Sequence, residues 1–373
     1  MDGPAEQPVI APEGRLMSLD ALRGFDMFWI VGGHGIALGL GQGLDSTWFE
    51  EYIAPQIRHM AWQGFTAWDL IMPLFLFVVG TAMPLSFAKR LAGGRGKARL
   101  YLHILYRVIL LWILGMIAQG RLLQYDVSQL RLYSNTLLAI AAGYLIASII
   151  LLNLRPRWQF AVTAALLLSY WGLLALVPVP GHGAGVLTPE GNLAIYIDMK
   201  ILGSFQDGTS YTWILSSLTF TATVMLGAFA GQLLGADGTK LSKVIALVIA
   251  GAACLLTGWA WSFALPIIKH IWTSSMVLYA GGWSLLLLAL FYLVIDVLRL
   301  RFCAYFFVVI GMNAIAAYMV TRLFDFRQIA DIFLRGLAKW TGPWHPFARA
   351  LGGLAILWLI LFYLHRKRTY IKI

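Results

Sequence analysis

From residue 24 to residue 364 the chain repeats one pattern, a run of about 20 apolar residues followed by a more polar break of varying length. Ten such runs fall at 24–41, 68–88, 102–120, 135–153, 158–178, 212–234, 244–265, 271–295, 302–321 and 346–364. A run this long and this apolar suits a bilayer-spanning helix, which satisfies its backbone internally. A closed barrel would instead show short segments that alternate apolar and polar. Charged residues make up 12% of the chain and mean hydropathy is +0.76, against about 25% charged residues in a soluble domain. The expectation is therefore an all-α, polytopic integral membrane bundle of about ten helices, with the lipid bilayer as its solvent. Residues 1–14 read as a polar tail without a cleavable signal pattern, 15–364 as the membrane domain and 365–373 as a basic tail. The third and last runs carry Arg107 and Arg349 near their ends, from where long side chains reach the interface.

The net charge of +11 is explained by placement. With the N-terminus inside, 18 of the 28 Lys and Arg residues fall in inner segments, the asymmetry that sets membrane orientation. Both termini are expected to be cytoplasmic, and the basic excess needs no nucleic acid. Cys254 and Cys303 each sit inside an apolar run, which suits packing and neither a disulfide nor a metal site. No metal is expected.

Of the outer loops, 42–67 is the most patterned. Trp48, Phe49, Tyr52, Ile53, Ile57 and Met60 recur at helical spacing, as in an amphipathic helix on the membrane surface. Two further outer loops, 179–211 and 322–345, are long.

Ionisable residues in membrane spans are costly, which makes them functional candidates. Asp26 lies just inside the first run and Asp69 at the start of the second. His59 precedes Asp69 by ten residues, and a turn at Gly64 would bring the two together at the outer mouth of the bundle. A carboxylate beside an imidazole makes a general base. The alternative is an interfacial histidine and a helix N-cap. His34, in VGGHGIALG, either lines the same cavity or is a packed, hydrogen-bonded histidine. Lys269 and Ser275, in PIIKHIWTSSMVLY, form either an interfacial anchor or a ligand lining. Asn313 either bonds between helices or faces a ligand. At the inner face, Arg15 and Arg23 in RLMSLDALRG could grip phosphates, or could serve as a positive-inside anchor with Ser18 or Asp20 as helix cap.

RLMSLDALRGFDMFWI followed by HMAWQGFTAWDLIMPLFLFVVG resembles the catalytic domain of the heparan-α-glucosaminide N-acetyltransferase family. NLAIYIDMKILG, LSSLTFTATVMLGAFAGQLLG, IKHIWTSSMVLYAGGWSLLLLALFYLVIDV and VVIGMNAIAAY continue the match in order to the last span. The resemblance implies a transmembrane acyltransferase that moves acetyl from cytosolic acetyl-CoA to the amine of a glucosamine-type sugar on the far side. It allows a homodimer, and for the chain implied a bacterial inner membrane. The family's catalytic histidine falls on His59, in an H-x-x-W-x-G-x-x-x-x-D pattern kept by Trp62, Gly64 and Asp69. His34 stands where the family often has Asn or Asp. The resulting expectation is His59 and Asp69 as catalytic, Arg15, Arg23, Lys269, Ser275 and Asn313 as donor-binding, and His34, Trp62 and Asp26 as acceptor-binding. An inner-membrane transporter of amino sugars or cell-wall fragments is the other function that spans and polar residues of this kind permit.

Overall fold

A computed structural model describes residues 16–94 and 96–371, with the side chain of Cys303 left aside. The described residues form helices and two isolated bridges but no strand. Helix α1 (Met17–Phe28) passes through a π turn (Trp29–Gly33) into α2 (His34–Leu44) without leaving helical geometry. Then come α3 (Ile71–Ala92), α4 (Lys97–Ala118), α5 (Thr136–Asn153) and α6 (Pro156–Leu176). A short α7 (Leu193–Leu202) precedes α8 (Ser217–Gly235), α9 (Lys240–Trp261) and α10 (Ser274–Tyr292). The chain ends with α11 (Phe302–Met312), α12 (Ala314–Leu323), α13 (Phe326–Leu334), α14 (Ala338–Thr341) and α15 (His345–Arg366).

Among the described residues, eight helices are long and apolar enough to cross a membrane. Helices α11 and α12 make a ninth if the pair, bent by 72° at Asn313, is one span. The α1–α2 helix has the length for another crossing, but Asp26, His34 and seven glycines dilute its apolar character. The protein is a multi-pass helical membrane bundle.

Small residues bring the spans together. A Cβ on Gly24 of α1 would lie 1.7 Å from the Phe307 carbonyl oxygen of α11, and one on Gly311 would lie 1.9 Å from that of Asp20. Helices α3 and α8 repeat the device at Gly80, Gly227 and Gly231, each facing a backbone oxygen of the partner at 1.9–2.2 Å. Such close approach is how membrane helices associate where apolar side chains gain nothing over lipid. The largest buried cluster, built around Phe75, Tyr144, Phe220 and Trp272, joins α3, α5, α8 and the segment before α10.

The connections sort to two ends. At one, Trp62 donates to the Leu187 carbonyl at 2.8 Å and Thr212 N–H to that of His270 at 3.0 Å, joining three loops. At the other, Ser18 N–H and Lys240 both bond Asp296, at 3.2 and 2.8 Å. The patterned loop is helical as expected, but as a π turn (Phe49–Ile53) followed by a 3-10 turn (Ala54–Ile57). Phe49, Ala54 and Ile57 pack on α2, and Trp48 and Tyr52 face outward.

Candidate functional site

A 3-10 turn, Ala67–Leu70, starts the helix that becomes α3. Thr66 and Asp69 form a capping box on it: Asp69 Oδ2 accepts from Thr66 N–H at 3.2 Å, and the Thr66 hydroxyl stands 3.0 Å from the same oxygen. Met60 N–H adds a contact at 3.3 Å. Gly64, at φ +120°, turns the intervening strip so that its N–H bonds the Ile267 carbonyl at 2.9 Å. A Cβ would be strained there. The turn folds His59 back over Asp69, with Nδ1 2.7 Å from Oδ1.

The other wall is the segment 266–273. The Thr273 hydroxyl donates to the Pro266 carbonyl at 2.9 Å and accepts from Ile268 N–H at 3.1 Å, closing a tight loop. This loop delivers Lys269, whose Nζ lies 3.3 Å from Asp69 Oδ1 and 3.2 Å from His59 Nδ1. His270 beside it is sandwiched, with Trp62 stacked at 5.2 Å and 11° and Tyr211 at 4.3 Å. Burial pulls the Lys269 ammonium down to about 8 against the opposing pull of Asp69. Burial, then the charge of Lys269, lowers His270 to about 4, and burial with Asp69 pushes the Tyr211 hydroxyl up to about 12.

Asp69 is therefore an acceptor hub, 1% exposed, while the His59 side chain is 44% exposed. A carboxylate only accepts, so the proton of the His59–Asp69 bond sits on Nδ1. In the neutral ring that leaves Nε2 with its lone pair, the tautomer of a general base. His59 and Lys269 open into a cavity of about 370 Å³ walled also by Trp68, Gln119, Asp207 and Tyr211. Asp69 both caps the helix and bonds the imidazole.

The remaining candidates are placed elsewhere. His34 bonds the Ile57 carbonyl at 3.1 Å and stacks on Trp68 at 4.3 Å, the packed alternative, and lines a separate cavity with Arg322. Trp62 braces His270 from outside the cavity wall. Asp26 is fully buried on α1, with neither oxygen hydrogen-bonded and no place in that wall. Ser275 pins the lysine loop through the Pro266 carbonyl at 3.2 Å. Asn313 holds the C-terminal segment, accepting from Ile371 N–H at 2.9 Å and donating to the Thr369 carbonyl at 3.3 Å. Arg23 pairs with Asp20 at 3.3 Å, and Arg15 lies outside the described residues. Lys269 thus joins the His59–Asp69 pair from 210 residues away. Thr66 and Tyr211 were not picked out in the sequence. Thr66 had a signal there, a Thr three residues before an Asp at a helix start, whereas Tyr211 had none. Among the described residues no group of His, Cys, Asp and Glu could hold a metal ion.

Fold and site define a multi-pass membrane protein with a His–Asp–Lys cluster at one mouth of the bundle. A family profile described as a domain of unknown function (DUF5009) matches residues 15–200. Human heparan-alpha-glucosaminide N-acetyltransferase is 24% identical over 381 residues, which cover 86% of this chain and 55% of the human protein. The mouse protein of the same name is 25% identical over 371 residues, 83% of this chain and 54% of the mouse protein. The chain spans about half the length of these curated relatives. The resemblance carried by the His59 and Asp69 motifs thus extends along most of the chain.

Proposed function

We propose that the protein is a transmembrane N-acetyltransferase that takes acetyl from acetyl-CoA and places it on the amine of a glucosamine-type sugar. The observation that carries this reading is the 2.7 Å His59–Asp69 bond, which leaves Nε2 of the neutral ring free at a cavity of about 370 Å³. His59 Nε2 removes a proton from the sugar ammonium. The amine attacks the thioester carbonyl, and the adduct nitrogen gives its second proton to water; collapse of the tetrahedral adduct then expels CoA thiolate, which takes the first proton back from the imidazolium. Lys269 holds the Asp69 oxygen that His59 also bonds and so keeps the ring in place. An acetyl-histidine intermediate is the mechanistic alternative.

In this reading both termini face the cytoplasm of a bacterial cell and the membrane is the inner one. The ends joined through Trp62, Leu187 and His270 face the periplasm, and the Asp296 end faces the donor. The test is transfer from labelled acetyl-CoA to glucosamine by the purified protein. His59→Ala is expected to lower the rate by ~10²–10⁴-fold, the typical share of a general base; undiminished activity would reject the assignment.

The 72° break at Asn313 favours a second reading, since broken helices mark transporter binding sites. Glucosamine uptake into proteoliposomes without acetyl-CoA would support it. An acetyltransferase should instead be stabilised by acetyl-CoA, by about 2.7 kcal/mol at a hundred times Kd.

A further inference from the structure

We infer that Arg107 binds the diphosphate of the acyl donor within the bundle, a subsite that rests on the acetyltransferase reading above. Arg107 lies midway along α4, with its guanidinium carbon 4.5 Å above the ring of Tyr144 on α5. Tyr144 is 1% exposed, so the guanidinium sits against the bundle interior rather than reaching the interface as its sequence position suggested. Its Nε is buried and has no hydrogen-bond partner. Among the described residues no carboxylate forms an ion pair with it. Guanidinium keeps its charge in proteins, and stacking on a ring fixes its plane without neutralising it. A cation held this way within a span points to an anionic ligand. The planar N–H fork suits the paired oxygens of a diphosphate.

Depth identifies which anion. Gln119, the residue capping α4, lines the His59 cavity. The twelve residues from Arg107 to Gln119 rise ~18 Å at 1.5 Å each. The extended pantetheine arm, about thirteen bonds from diphosphate to sulfur, reaches ~15 Å at the ~3.5 Å per three bonds of an extended chain. A donor with its thioester at His59 therefore carries its diphosphate at the level of Arg107. Of the other cations considered for this task, Arg23 pairs with Asp20 and Lys269 binds Asp69.

The test compares three ligands by thermal shift and calorimetry on the purified full chain: acetyl-CoA, its 3′-dephospho form, and S-acetylpantetheine, which has no phosphate. Arg107→Gln is expected to weaken the first two alike, by about ten-fold or more, as when a hydrogen bond to a charged group is lost. S-acetylpantetheine should bind the variant as it binds the unaltered protein. Equal loss for all three ligands would show a structural role and overturn the proposal. So would unchanged acetyl-CoA affinity, or a loss confined to the ligand with the 3′-phosphate. If Arg107→Gln does not accumulate, Arg107→Lys makes the same comparison, with charge kept and the fork removed. On the unaltered protein, acetyl-CoA and S-acetylpantetheine of equal affinity would overturn the proposal whatever the variants do. No binding of any of the three would instead sink the acetyltransferase reading itself.

Discussion

At Asp69 the two carboxylate oxygens do different work. Oδ1 faces His59 and Lys269, while Oδ2 faces the Met60 and Thr66 N–H groups and the Thr66 hydroxyl. An amide cannot satisfy both sides. In Asp69→Asn, an NH2 turned toward His59 forces Nδ1 to accept, moves the ring proton to Nε2 and removes the base. Turned the other way, the NH2 meets two N–H donors and breaks the capping box. Steady-state kinetics should show kcat down by ~10²–10⁴-fold, and wild-type turnover would refute this account of the cluster. Lys269 sets a pH dependence of its own. Its ammonium is lowered to about 8, so it is charged below that pH and neutral above. If its charge holds Asp69 and His59 together, activity falls as pH rises through about 8. Lys269→Arg, charged throughout, should flatten that alkaline limb, and an unmoved limb would assign it to another group. His59 and Asp69 were legible in the sequence because ten residues and one glycine turn join them. Lys269 was legible only as a polar residue in an outer loop, since nothing along 210 residues of chain states that two loops meet.

Asp198, on the short helix α7, accepts from the N–H groups of Trp213 at 2.7 Å and Ile214 at 3.0 Å, one on each oxygen. It thereby fixes the chain just before α8, next to Tyr211 and Thr212, which contact His270. Asn has one acceptor oxygen, so Asp198→Asn strands a buried N–H and should destabilise by about 1–3 kcal/mol, read as a lower Tm in detergent. Burial raises the Asp198 carboxyl to about 6 in the folded protein, above the ordinary 3.8. The folded state therefore binds more protons between those values. Its contribution is complete below about 3.8 and lost as pH rises through about 6. Tm should carry a matching fall over that window, absent in Asp198→Asn; identical slopes would place the titration elsewhere. At this scale the apolar runs gave helix existence well and helix continuity poorly. Asn313 is no strong helix breaker, yet its amide is spent on Thr369 and Ile371, and the helix bends there by 72°. The first run was readable as a span, but Asp26, His34 and its glycines lower its hydropathy.

For the whole molecule the decisive quantity is parity. An even number of crossings puts both termini on one side, with the His59 mouth opposite the Arg23 end. The contacts require that the loops around Trp62, Leu187 and His270 share an end, and that Ser18, Lys240 and Asp296 share another. The loop containing Gln124 follows α4, whose last residues adjoin the His59 cavity, so it belongs with the first end. The turn containing Asp237 joins α8 to α9 beside Lys240 and belongs with the second. A donor-to-acceptor relay across the bilayer therefore predicts opposite exposure of these two exposed residues. In a background with Cys254 and Cys303 replaced by Ser, Gln124→Cys should react with an impermeant maleimide on intact cells. Asp237→Cys should react only after lysis. Labelling of Asp237→Cys alone on intact cells would invert the protein and put His59 on the cytoplasmic side, where acetyl-CoA would need no passage through the bundle. Arg107 would then have no reason to lie on a donor path. Labelling of both would break the alternation that the helix order imposes. The cysteine pair thus tests orientation independently of catalysis, and it decides whether the bundle is a route between two compartments or a scaffold for one.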